Sequence, residues 1–294
     1  MATSKQKKAQ VVAPYGAMPP KRARPAKYGT FASLVGQIEP HIYLMARLRP
    51  EGEGVRSFTL GTAYLAGKNR IVSAAHCFDD PNQPNAPGAH HQEGDSYIFI
   101  QIPSRGGGHY AVVETPVLDS ELYLYPDIDF AVMYLPDSFY AIDGKWHKNP
   151  DDHLSFSNEL RPLGTDVGVL GYPMQELRFT SAGSPDTDGV MLRVDKGVVN
   201  ASMSFTENGN TVYEFTMSFN PGNSGGPIVE IASGRVIATV MGYRATPINL
   251  LTEKWPGQDP DAKTFDSLIH ANYSQGFTSV NYLTLAARHG LSTF

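Results

Sequence analysis

The chain reads as an all-β protein, two β-barrels followed by one short helix. Three observations predict this. Short apolar or alternating runs recur at close spacing from Ile42 to Met241. Turn formers separate them, with 28 glycines and 22 prolines among 294 residues. The one clear helical period, Asn281 to His289, comes last and stops at Gly290. The length prior gives roughly two domains of about 150 residues. With 41% apolar residues and only 18% charged ones, the chain can bury a core in each.

In chain order, residues 1–30 are Pro-rich and basic without a hydrophobic period, so they read as an unstructured arm. A first barrel is expected over residues 31–142. Its strands are Ile42–Leu48, Phe58–Ala66, Arg70–Ala75 ending at His76, Tyr97–Ile102, Tyr110–Val113 and Phe130–Leu135. Residues 143–162 are polar and read as the connection. A second barrel is expected over 163–294, from Val167–Tyr172, Leu177–Thr180, Val190–Val194 and a hairpin, Ser202–Phe205 with Thr211–Met217. Asn208-Gly209 turns that hairpin. A further hairpin joins Ile228–Ile231 to Val236–Met241 through Ser233-Gly234, and 245–275 reads as a long irregular segment.

Charge is unevenly placed. Residues 1–28 carry Lys5, Lys7, Lys8, Lys21, Arg22, Arg24 and Lys27 and no acid, while the chain's net charge is −5. Such an arm suits nucleic acid, an anionic surface or a partner, and equally a solubilising terminus. No run of about 18 apolar residues exists, so no membrane-spanning helix is expected. No apolar stretch follows the first lysines, since Pro14 interrupts Val11-Val12-Ala13, and Cys77 has no second cysteine to pair with. Both favour a reducing, cytoplasmic setting.

The chemistry gathers in three stretches. In Phe219-Asn220-Pro221-Gly222-Asn223-Ser224-Gly225-Gly226-Pro227-Ile228-Val229 a serine sits among glycines. Such a turn can aim the N–H groups of Gly222, Asn223 and Ser224 at one point, an oxyanion hole beside the Ser224 hydroxyl. A serine needs a base within reach and the base needs an orienting group. His76 ends the small-residue run Val72-Ser73-Ala74-Ala75. Asp129 precedes Phe130-Ala131-Val132, with Asp127 as a rival.

These runs, S-A-A-H-C, D-F-A-V and G-N-S-G-G-P, resemble those of trypsin-like, chymotrypsin-fold serine peptidases and occur in that family's order. The resemblance covers about residues 33–290 and looks closest to the HtrA-like branch, without a PDZ-like region. It implies two six-stranded antiparallel barrels with the active site between them. It implies Ser224 as nucleophile, His76 as general base and then acid, and Asp129 as orienter. The N–H groups of Gly222 and Ser224 would form the hole.

The departures are informative. Asn223 stands where trypsin has an aspartate that pairs with a newly cut N-terminus, so that activation is not expected. Leu60-Gly61-Thr62 stands near the place of the cysteine that would pair with Cys77. Ser218 falls at the floor of the primary pocket and is neutral, so strong Lys or Arg preference is not implied. Phe219 or Met241 would narrow the pocket, and Gly242 would let substrate backbone pair as an added strand. Val240 occupies the usual place of a serine that supports the aspartate; Thr239 is the substitute at hand. His90-His91 with Glu93 and Asp95 lack ligand spacing, so no metal or cofactor is expected. The implied function is an endopeptidase acting on proteins or peptides. Loops 78–95 and 245–275 would serve as lids set by an activating partner. The alternative is a binding protein that uses the cleft or the basic arm without cleavage.

Overall fold

Among the described residues, thirteen strands build two units, and the pattern of burial explains why they stay together. The structure is a computed structural model that describes residues 30–52, 54–80, 90–101, 111–116, 121–136, 138–140, 146–148, 151–173, 178–179, 185–186, 190–204, 209–248 and 269–294. The basic arm therefore lies outside the described residues. So do the tips of both proposed lids, residues 81–89 and 249–268.

The N-terminal half opens with helix α1 (Phe31–Ile38), an element absent from the strands expected over residues 31–142. Thr30 caps it, its hydroxyl accepting from Ser33 N–H at 3.1 Å. Then come β1 (Ile42–Glu51), β2 (Gly54–Gly67), β3 (Arg70–Ser73), β4 (Ser96–Gln101), β5 (Ala111–Pro116), β6 (Leu122–Tyr125) and β7 (Phe130–Tyr134). They form one seven-stranded antiparallel sheet in the order β5-β4-β1-β2-β3-β7-β6. The third strand stops at Ser73, and Ala75–Cys77 form a 3-10 turn, so His76 sits beyond the strand rather than at its end.

Two small hairpins follow, β8 (Ser138–Tyr140) with β9 (Trp146–Lys148), and, later, β11 (Arg178–Phe179) with β12 (Pro185–Asp186). The C-terminal half consists of β10 (Asp166–Gly171), β13 (Arg193–Ser204), β14 (Thr211–Phe215), β15 (Pro227–Glu230), β16 (Val236–Ile248) and β17 (Ile269–Thr278). These close a barrel, β10-β13-β14-β17-β16-β15. The segment expected to be irregular begins and ends as strand, because β16 and β17 stay paired out to Ile248 and Ile269. Helix α2 (Leu283–His289) ends at Gly290, whose φ of 64° is the left-handed stop the sequence announced.

In the N-terminal strands both faces are apolar. Ile42, Leu44 and Ala46 join a cluster that includes Leu170, Val229, Val236 and Tyr282 of the other half. Tyr43 and Met45, the alternate residues, face the sheet's own cluster with Phe78, Phe99 and Met133. A third cluster, Val167, Tyr213, Phe215, Ile228 and Val240 among others, fills the C-terminal barrel. The two halves thus share a core along one seam, consistent with a two-barrel fold. The chain end sews it further: Phe156 N–H donates to Ser292 O at 2.8 Å and Ser292 N–H to Ala66 O at 3.0 Å.

Helix α1 seats on the C-terminal barrel through one glycine. A Cβ on Gly168 would run into the Phe31 ring. Gly168→Ala is expected to unseat α1 and lower stability by about 1–3 kcal/mol, as overpacking does. Urea unfolding measures it, and wild-type stability would contradict this docking.

Candidate active site

The strand pairing brings two of the three stretches together. In β3 and β7, Ser73 pairs with Ala131. His76 lies three residues past Ser73 and Asp129 two before Ala131, so both project from the same end of the sheet. Asp129 is turned inward by a left-handed backbone, φ 47° and ψ 48°, after the 3-10 turn Pro126–Ile128. Its carboxylate accepts from His76 N–H at 2.9 Å and from Nδ1 at 2.8 Å. With Nδ1 donating, Nε2 is the ring nitrogen that accepts. Asp127 is exposed, and its carbonyl accepts from Asn210 Nδ2.

Ser224 comes from the other half, on the turn before β15. Gly222 takes φ 95° and Gly225 φ 80°, conformations open to glycine. Gly225 N–H donates to Val240 O at 2.9 Å, and Gly226 N–H to Asn223 O at 2.8 Å. Thr62 of β2 reaches across and grips this turn. Its N–H donates to Ser224 O at 2.9 Å, and its hydroxyl donates to Gly222 O at 2.7 Å while accepting from Tyr172 N–H at 2.9 Å. A Cβ on Gly225 would collide with Ser73 Oγ and Thr62 O, and one on Gly61 would meet Ser224 O at 2.7 Å and Cys77 Sγ at 3.1 Å. The serine turn therefore packs on the residues that lead into His76. Cys77 Sγ in turn lies 3.9 Å from His76 Nε2.

Sequence reasoning missed Thr62 and Ser73. Their only signal was the Leu60-Gly61-Thr62 and Val72-Ser73-Ala74 small-residue runs, which do not reveal a partner some 160 positions away. The Asn223 N–H, expected in the hole, is instead committed to Asn220 O at 3.0 Å. The N–H groups of Gly222 and Ser224 donate to no acceptor among the described residues.

Of the four expected substrate-binding residues, Ser218 lines a cavity of about 390 Å³ with Val169, Pro173, Arg193, Asn220 and Asn223. Phe219 is buried in the barrel core, its N–H donating to Ser274 Oγ at 2.9 Å, and Met241 and Gly242 sit at a bulge after Val240. Thr239 is bonded to the Tyr64 hydroxyl at 2.8 Å. His90 pairs with Asp79, His91 Nδ1 lies 3.1 Å from Tyr97 Oη, and Arg49 Nε donates to Asp95 at 2.8 Å, an ion-pair cluster. Among the described residues no group of three or more His, Cys, Asp or Glu could hold a metal, and no helix is long and apolar enough to cross a membrane.

A family model for the trypsin-like peptidase domain matches residues 61–238, and the chain belongs to this family. No curated protein matches it. The active form of the Rv3671c protease from M. tuberculosis shares the fold, with 17% identity, a TM-score of 0.51, and coverage of 96% of this chain and 95% of that one.

Burial works against a charged His76, but the Cys77 sulfur and the Asp129 carboxylate outweigh it, and its pKa lies above the ordinary 6.5. A raised folded-state pKa means the imidazolium's contribution to stability is complete below pH 6.5 and fades as pH rises through the folded value. An NMR titration of His76 is expected to find it above 6.5, with Asp129→Asn bringing it down. A midpoint at or below 6.5 in the wild type would contradict this geometry.

Proposed function

We propose that the chain is a serine endopeptidase working through an acyl-enzyme. The observation that carries this reading is the joint at the seam, where a His76–Asp129 pair from one half meets a serine turn gripped by Thr62 from the other. Ser224 Oγ attacks the substrate carbonyl carbon while His76 Nε2 takes its proton. The oxygen that gains the electron pair is met by the Gly222 and Ser224 N–H groups, the two donors of the turn without an acceptor among the described residues. Collapse breaks the C–N bond, and His76 returns the proton to the leaving amine. Water activated by His76 then releases the acyl group and restores Ser224. Asp129 stays ionised throughout, holding the tautomer and stabilising the imidazolium.

Substrates are proteins or peptides. The neutral Ser218 at the expected pocket floor supports no strong preference for a basic side chain. An amine inserted beside position 223 is not part of the mechanism, since a carboxamide offers it no charge. Control therefore rests with the 78–95 and 245–275 segments and an activating partner. A buried, unpaired Cys77 suits a reducing, cytoplasmic compartment.

A fluorophosphonate probe is expected to label Ser224 in the purified chain, and not Ser224→Ala. For a peptide that the wild type cleaves, Ser224→Ala should lower kcat by about 10⁴–10⁶-fold. Because the base acts only when neutral, the raised His76 pKa places the rising limb of kcat/KM above pH 6.5. Labelling that survives Ser224→Ala would refute the assignment of the nucleophile. A chain that binds peptides but neither labels nor cleaves would favour the binding-protein alternative.

A further inference from the structure

Asp129 ends the short loop that joins β6 to β7. The loop is the 3-10 turn Pro126–Ile128 followed by Asp129 itself, whose φ of 47° lies in the left-handed region. A residue with a side chain holds such a conformation only where its surroundings over-determine it. The two residues that flank the loop, Tyr125 and Phe130, face each other across the hairpin. Phe130 belongs to β7, which is paired on both sides, with β3 and with β6. Tyr125 belongs to β6, the edge of the sheet, which is paired among the described residues with β7 alone. The ladder therefore fixes Phe130 more firmly than Tyr125, and Tyr125 is where the loop begins.

A side chain from the far end of the chain supplies a second hold. His289, the last residue of α2, is buried. Its Nε2 lies 2.6 Å from the Tyr125 hydroxyl, and its Nδ1 lies 3.0 Å from the Tyr134 hydroxyl. A neutral imidazole donates from one ring nitrogen and accepts at the other, so each tyrosine hydroxyl is bonded in either tautomer. The Tyr123 ring packs on the imidazole, with centroids 4.7 Å apart. The helix that carries His289 is itself fixed. Leu291 N–H donates to Ala286 O at 2.8 Å, and Ser292 N–H donates to Ala66 O of β2 at 3.0 Å. A Cβ on Gly67 would lie 2.8 Å from Gly290 O, so the helix end rests directly on the end of β2. Just before the helix, Tyr282 stacks on Phe130, with centroids 4.1 Å apart and planes at 17°. One segment, residues 282–289, thus grips both flanks of the aspartate loop.

We propose that His289 is a positioning residue for Asp129, acting through the Tyr125 hydroxyl. The bond to Tyr125 pins the edge strand at the point where the 3-10 turn departs. The bond to Tyr134 lies beyond the other flank, at the far end of β7 from Asp129. The two ring nitrogens therefore have different duties: Nε2 sets the aspartate loop, and Nδ1 orients the imidazole for it. A hydrogen bond is directional where apolar packing is not, so losing the bond to Tyr125 lets that residue shift while the hairpin stays folded. The inference rests on the peptidase reading above, and its test separates the two.

The test uses the full chain and a peptide that the wild type cleaves. Tyr125→Phe removes the hydroxyl that Nε2 holds, and Tyr134→Phe removes the one that Nδ1 holds. His289→Gln keeps a polar group near the place of Nε2, whereas His289→Asn keeps one near the place of Nδ1 only. Tyr125→Phe and His289→Asn are each expected to lower kcat about tenfold with KM within about twofold. The double variant should be no slower than either, because both break one link. Tyr134→Phe and His289→Gln should stay within about twofold of the wild type. The low-field proton resonance of His76 Nδ1, which reads the contact with Asp129 without turnover, should shift or broaden in Tyr125→Phe and stay in place in Tyr134→Phe. Should His289→Asn fail to fold, the two tyrosine variants carry the comparison. Wild-type kcat and an unmoved resonance in Tyr125→Phe would overturn the proposal while leaving the peptidase intact. Equal losses in the two tyrosine variants, the mark of packing alone, would overturn it as well. An inert wild type whose resonance responds to Tyr125→Phe but not to Tyr134→Phe would sink the peptidase reading and uphold the positioning role; in an inert chain, an unmoved resonance would sink both.

Discussion

Thr62 grips the Ser224 turn at two points, and the site's assembly depends on that grip. The turn is rich in glycine and carries carbonyls that no strand ladder uses. Buried peptide groups left without partners are costly, on the order of 1–3 kcal/mol each. The Thr62 hydroxyl and N–H take up Gly222 O and Ser224 O, and the same hydroxyl accepts from Tyr172. One residue of the N-terminal half therefore sets the height and orientation of a loop that belongs to the other half. The contact is close only because Gly61 and Gly225 lack the Cβ atoms that would separate the two backbones.

That contact sits at the end of a longer apolar seam. Alternate residues of β1, β3, β4 and β7 serve two different cores, one within the sheet and one shared with the barrel. A sheet with one wet face could drift from its neighbour, but this one would expose Ile42, Leu44, Val72 and Phe130 if it did. At about 25 cal/mol per Å² of apolar surface, the seam supplies cohesion, while the hydroxyls and peptide groups supply register.

Electrostatics hold the other flank. Arg47, buried within the N-terminal sheet, donates to Phe78 O, two residues past His76, and its Nε lies 3.5 Å from Asp95. A buried ion pair of this kind adds little net stability, yet losing one partner strands a charge, which costs about 3–5 kcal/mol. The chain leaving His76 is thereby tied to β1. The imidazole itself is held by Asp129, the residue before β7.

The sequence by itself determined the class of fold, the strand-rich halves, the terminal helix and the three stretches that carry the chemistry. It could do so because those features are local: alternation, turn glycines, and a serine, a histidine and an aspartate embedded in short runs of recognisable type. It also ranked Asp129 above Asp127, and the tertiary structure puts only Asp129 against His76. It overlooked α1, because eight residues with a single cap carry a weak signal. It counted the Asn223 N–H as free, because a turn's internal bond is invisible until its dihedrals are known. Thr62, Ser73 and the Tyr64–Thr239 hydroxyl pair were decided only in three dimensions. Each acts by closing a distance between segments far apart in the chain. No pattern within either segment encodes that distance; the packing of one half against the other does.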